Sequence, residues 1–208
     1  MRIRPLVNQK FAMIPSHTKA IVATAFWTGM RRNEILKLTW DKIDLQNRLI
    51  RLRANATKEG RRKIVPISNQ LKTVLTRLPN RLHGADENNY VFQYKGGAVS
   101  DIRTGLKNGC ELAGIPYGRN LEDGFTFHDL RHTFATNARK AGVEKNVIMV
   151  IMGHSAGNDM NFRYDSVDEA DLLNAVDQIE LFLESVDHPV DQGQKKGSQE
   201  ESQNRASY

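Results

Sequence analysis

Cysteine is almost absent. Cys110 is the only one in 208 residues, so no internal disulfide can form, and the chain is expected in a reducing cytoplasm. Long apolar runs are missing too. Nothing approaches the roughly 20 residues a transmembrane helix needs, so no membrane partner is expected. The opening Met1-Arg2-Ile3-Arg4-Pro5 has no apolar h-region and does not read as a secretory signal. No group of Cys, His, Asp and Glu shows zinc-ligand spacing, and neither a metal nor another cofactor is expected. There is no internal repeat, and no aromatic stacking platform of the kind RNA-binding domains carry. The hydrophobic fraction, 39%, is low, but over this length it suffices for one domain with a sizeable core.

Charge is present in quantity and is unevenly spread. The net charge is +6, yet residues 31–77 hold 13 Lys and Arg against 4 Asp and Glu. Residues 161–187 reverse the balance, with 8 Asp and Glu against one Arg. A basic block of that density suits a polyanion, because each phosphate contact releases condensed counterions. Taken alone it also describes an ordinary solvated surface. The acidic stretch does not suit DNA and calls for another role.

Patterning predicts a mostly α domain with a small antiparallel β-sheet. Residues 1–15 read as a linker, 16–186 as the folded domain, and 187–208, rich in Gln, Ser, Gly and Lys, as a disordered tail. Helices are expected over 16–27 with Ser16 as N-cap, 31–39, 69–78, 100–113, 127–141 behind Thr126, 143–152 and 168–186. Residues 49–54 and 63–67 alternate apolar and charged side chains and predict two antiparallel strands joined around Glu59-Gly60, with a further short strand at 90–94. In the last helix Leu172, Val176, Ile179 and Leu183 share a face, and Asp171, Asp177, Glu180 and Glu184 are expected on the outer one.

Several polar residues stand at positions that chemistry could use, although each has an ordinary reading. Arg31, after Thr28-Gly29-Met30, could be a surface charge, and Lys58 a solvated turn residue. His128 and Arg131, three apart, share a helix face. His154 follows Met152-Gly153 at a helix end, where an imidazolium favours the dipole, and Tyr164 could be an amphipathic surface tyrosine.

Their order is more specific than any one of them. Thr28-Gly29-Met30-Arg31-Arg32-Asn33-Glu34 resembles the first arginine motif of the tyrosine recombinase (phage integrase) family. Thr57-Lys58-Glu59-Gly60 followed by Ile64-Val65-Pro66-Ile67 resembles its hairpin lysine motif, and residues 128–136 its His-x-x-Arg motif. Met152-Gly153-His154-Ser155 resembles its second histidine motif, and Tyr164 stands where the family has its nucleophile. The resemblance covers about residues 16–185. Asn161, and Asp165-Ser166 after the tyrosine, depart from the common pattern.

The resemblance implies the catalytic-domain fold of that family and DNA cleavage and rejoining through a 3′-phosphotyrosyl link. It implies six catalytic residues: Arg31, Lys58, His128, Arg131, His154 and Tyr164. Tyr164 would attack the scissile phosphate, Arg31 and Arg131 would clamp its non-bridging oxygens, and Lys58 would protonate the departing 5′-oxygen. His128 would exchange the tyrosine proton, and His154 would bond a non-bridging oxygen. Glu34 is expected to support Arg31, Asp129 to support His128 or Arg131, and His132 to play a supporting part. The implied partners are double-stranded DNA and further copies of the chain, as a tetramer on DNA. The last helix docks either on a neighbouring subunit or on its own domain. Arg32 and the Arg61-Arg62-Lys63 cluster lie beside the chosen cations, so Arg31 and Lys58 rest on motif register. Family members usually carry an amino-terminal helical domain, and this chain begins near the expected linker, as a fragment or a short member would. A type IB topoisomerase shares the catalytic set, and a DNA-binding module without activity would have lost part of it.

Overall fold

Residues 16–28 form a helix that is apolar nearly all round, and it lies at the centre of the molecule (α1, Ser16–Thr28). Its threonines survive burial because their hydroxyls bond back along the helix, Thr24 Oγ1 to the Ala20 carbonyl at 2.8 Å and Thr28 Oγ1 to that of Thr24. Pro15, not Ser16, occupies the N-cap, and no side chain caps this end. Gly29 stops the helix with a left-handed φ of 60°. A Cβ there would come within 2.6 Å of the Phe134 ring, so glycine is needed both for the turn and for the passage of a second helix.

The computed structural model describes residues 14–57, 60, 62–79, 81, 89–153 and 167–187. After α1 come α2 (Arg32–Leu36), β1 (Ile43–Asp44), β2 (Leu49–Leu52), β3 (Lys63–Pro66), α3 (Asn69–Thr76), β4 (Gln93–Tyr94), β5 (Gly97–Ala98), α4 (Arg103–Ala113), α5 (Phe127–Lys140), α6 (Lys145–Met152) and α7 (Glu169–Asp187). The fold is therefore mostly helical with a small antiparallel sheet, ordered β1-β2-β3, and a separate β4-β5 hairpin. No described helix is long and apolar enough to cross a membrane.

Several elements differ from the sequence expectation. The second helix ends at Leu36, because residues 38–40 turn away to pair with the returning chain: Val91 N–H donates to the Leu38 carbonyl and Trp40 N–H to that of Asn89. Strand β1 is two residues long, too short for alternation to reveal. The strands flanking Lys58 end at Leu52 and resume at Lys63, in the register Leu52↔Lys63, and a 3₁₀ turn at Ala54–Ala56 occupies part of the link. Within 90–94 only residues 93–94 are strand, with Tyr90 bridging to Thr39.

Helix α5 packs along α1, and α7 lies across α5, α6 and β3. Leu172, Ala175, Val176 and Ile179 of α7 are buried, so its apolar face is covered by its own domain. Its acids do not all face outward. Glu180 is buried and accepts from Asn69 N–H (3.2 Å), Asn69 Nδ2 (3.1 Å) and Gln70 N–H (2.8 Å), capping α3 together with Ser68. Asp177 takes the Arg48 guanidinium at 2.5 Å, and Glu169 pairs with Arg51. The acidic stretch thus neutralises the outer side of the sheet and ties α7 down.

Candidate active site

A helix start, a second helix and a strand deliver the central side chains. Arg31 stands at the N-cap of α2, where its backbone N–H donates to Glu34 Oε2 at 3.1 Å and its Nη1 to Glu34 Oε1 at 3.3 Å. Its Nη2 reaches the Gly153 carbonyl at 3.5 Å. Arg131, from the first turns of α5, is 4% exposed and donates through Nη1 to the Gly29 carbonyl (2.5 Å) and through Nη2 to that of Met152 (2.9 Å). Consecutive carbonyls at the end of α6 thus hold two arginines that lie 100 positions apart in sequence. A guanidinium has five donors in a fixed plane, so anchoring two of them sets its orientation in advance.

Between the arginines lies a residue the motif reading passed over. Lys63, first in β3, alternates onto the same inward face as Val65 and is 6% exposed. Its Nζ donates to Glu34 Oε2 at 2.9 Å. Burial pushes the Lys63 ammonium down to about 8 despite the pull of Glu34, with Arg131 and Arg31 adding to the depression. Burial would raise the Glu34 carboxyl, yet Lys63 and Arg31 outweigh it and hold the group below its ordinary value. The result is two cations on one carboxylate with a third, Arg131, acting on Lys63 from nearby, an arrangement suited to an anion.

His128 lies one turn before Arg131, on the exposed side of the helix, with the His132 ring edge-on at 4.7 Å. Burial first, then His132 and Arg131, lower its pKa, which favours the neutral imidazole able to accept a proton. Asp129 acts on His128 through its charge, which opposes the lowering, while its carboxylate is engaged at the helix start. Its Oδ2 takes Thr126 N–H and Oγ1, both at 2.7 Å, and closes a capping box at the start of α5. Arg32 is exposed where Arg31 is half-buried. Lys58, His154 and Tyr164 lie outside the described residues, as do Glu59, Asn161, Asp165 and Ser166.

Arg31, Glu34, His128 and Arg131 line a cleft of about 1150 Å³. Its described lining carries eight Lys and Arg, among them Arg31, Arg53, Arg103, Arg119 and Arg131, against two carboxylates, Glu34 and Asp41. The basic face is therefore only in part the basic block of the sequence. Arg48 and Arg51 of that block are turned to α7, Lys63 is buried, and Arg103 and Arg119 join from elsewhere. Among the described residues no group of His, Cys, Asp and Glu could hold a metal ion.

A helical fold with a small sheet and a two-arginine, histidine-bearing basic cleft matches a known class. Residues 6–170 match the Phage integrase family, and the chain belongs to that family. It is 33% identical over 155 residues to a shufflon-specific DNA recombinase of Escherichia coli, covering 74% of this chain and 35% of that protein. It is 27% identical over 210 aligned positions to a tyrosine recombinase XerC-like protein of Caldanaerobacter subterraneus, covering 84% of this chain and 52% of the other. The chain thus spans about half or less of these relatives' length. In fold it is similar to XerA recombinase, with TM-score 0.61 and 24% identity over 90% of this chain and 63% of that one. It is also similar to the Tn1549 transposon integrase, solved in complex with a circular intermediate DNA, with TM-score 0.54 and 17% identity over 88% of this chain and 63% of that one.

Proposed function

We propose that residues 16–186 are the catalytic domain of a site-specific DNA recombinase that cleaves and rejoins double-stranded DNA through a 3′-phosphotyrosyl intermediate. The observation that carries this reading is the convergence of Arg31 and Arg131 on the carbonyls of Gly153 and Met152, at the mouth of a basic cleft. Two pre-oriented guanidinium groups suit a phosphate whose charge grows in a pentavalent transition state. His154 is the next residue in the chain and Tyr164 follows ten positions later. In the proposed reaction the Tyr164 hydroxyl attacks phosphorus and gives its proton to His128. Arg31, Arg131 and His154 hold the non-bridging oxygens, and Lys58 protonates the leaving 5′-oxygen. Rejoining runs the same steps backwards from a 5′-hydroxyl, so the ester energy is kept in the phosphotyrosine and no nucleotide is consumed. These side chains supply the charge and protons needed, so the reaction is proposed to need no metal or other cofactor.

The whole protein would work in the cytoplasm as a tetramer on DNA. The relatives' names and the DNA complex of the Tn1549 integrase support the DNA partner. Assembly through α7 would require Leu172, Ala175, Val176 and Ile179 to leave their own domain, so in the absence of DNA we place α7 in cis. The test is supercoiled plasmid incubated with the chain in EDTA without ATP. Relaxed topoisomers, with a fraction of DNA carrying SDS-resistant protein, are expected. Strict dependence on added Mg²⁺ would overturn the mechanism in favour of metal-assisted hydrolysis.

A further inference from the structure

Lys63 touches two of the groups that hold Arg31. Its ammonium binds Glu34 Oε2 at 2.9 Å, closer than Arg31 Nη1 binds Oε1 of the same carboxylate at 3.3 Å. Its stem lies over Gly153, whose carbonyl accepts from Arg31 Nη2. A Cβ on Gly153 would meet Lys63 Cδ at 3.0 Å and Cε at 3.3 Å, and the φ of +65° there already disfavours any other residue. Both ends of the ion pair are almost fully buried, with side chains 4% and 3% exposed.

Resting on the recombinase reading, we propose that Lys63 is a positioning residue that neutralises Glu34, so that the Arg31 guanidinium is oriented toward the cleft instead of being drawn onto the carboxylate. A buried carboxylate does not stay unpaired. With the ammonium removed, Glu34 has Arg31 as its remaining cation among the described residues, and the strength of that pair would oppose delivery of Arg31 to a phosphate. Lys63 itself is too enclosed, and too committed to Glu34, to be the proton donor to a leaving group. That role stays with Lys58.

A double-mutant cycle tests this on the full chain, using supercoiled plasmid and reading relaxation rate, DNA affinity and thermal melting for each variant. Lys63→Met keeps the stem over Gly153 and removes the charge. It should slow relaxation on the order of tenfold, with affinity changed only about threefold or less, because ground-state binding is spread over many phosphate contacts. Glu34→Gln removes the charge that Lys63 balances. In that background Lys63→Met should cause no further loss, and the double variant should outpace Lys63→Met alone. Equal slowing by Lys63→Met in both backgrounds would mean that Lys63 acts on the DNA directly and would overturn the inference. So would a Lys63→Met variant as fast as the wild type. If Lys63→Met fails to melt cooperatively, the comparison of Glu34→Gln with the double variant, in which neither charge remains, decides by the same criterion. A wild-type chain that never relaxes plasmid overturns the recombinase reading and this inference together, whereas a reacting wild type with the wrong pattern sinks the inference alone.

Discussion

Two sets of ion pairs flank the same small sheet, and they are built on different principles. On the outer side Arg48 and Arg51 meet Asp177 and Glu169 one to one, in half-open positions, and Glu180 adds a carboxylate to the start of α3. That side is charge-balanced and ties α7 to the domain. On the inner side Lys63 and Arg31 share the single carboxylate of Glu34, and the buried Arg131 is held beside them by the Gly29 and Met152 carbonyls, so that among the described residues cations outnumber carboxylates there. Folding gains little from such an excess and pays in desolvation. The imbalance makes sense if a phosphate completes it. One basic stretch of sequence feeds both sides, so local charge density says nothing about which cations meet DNA.

The inner side should give the largest effects. Arg131→Lys keeps the charge but loses the planar fork that grips two carbonyls, and cleavage should slow on the order of 10²-fold or more in single turnover, as for removal of one pre-oriented transition-state donor. A variant near wild-type speed would place the phosphate elsewhere. Next comes the cost of the buried ammonium. Folded Lys63 titrates near 8 against an ordinary value of 10.5, so between these values the unfolded chain binds more protons and stability rises with pH. The gain across that window should approach about 3 kcal/mol, and below pH 8 the cost is present in full. Urea melts at several pH values should show that slope in the wild type and lose it in Lys63→Met. An unchanged slope would mean the ammonium is not held as described.

The outer side should respond more weakly and leave chemistry alone. Glu180→Gln should cost about 1 kcal/mol in urea melts through the weakened α3 cap, with cleavage per folded molecule unchanged. A loss of cleavage without loss of stability would tie α7 to the reaction. Arg51→Ala, at an exposed pair, should not move the melt resolvably. A clear shift there would erase the distinction between the two sides.

Much of this was legible in the sequence, where spacing is tied to geometry. The α5 motif could be read because Thr126 and Asp129 mark a helix start and His128 and Arg131 then share a face. The same Thr-x-x-Asp spacing already implied that Asp129 is spent on the cap, a signal outweighed by its nearness to Arg131. Lys63 hid in a run of three cations, although its parity with Val65 and Ile67 pointed inward. The acidic pattern of the last helix puts Glu180 on the outer face, yet it lies four residues beyond the buried Val176 and so continues the buried stripe. The two-residue β1, the early end of α2 and the grip of Met152 and Gly153 on the arginines depend on tertiary contacts that no local pattern records.

The central claim is that this cleft presents a DNA phosphate to Tyr164. The direct measurement is the SDS-resistant protein–DNA adduct formed by the wild type and by Tyr164→Phe at matched DNA occupancy. Wild type should yield an adduct that protease digestion reduces to a phosphotyrosyl peptide containing residue 164, and Tyr164→Phe should bind DNA within a few-fold of wild type and yield none. An adduct from Tyr164→Phe, or a wild-type adduct mapped to another residue, would contradict the account.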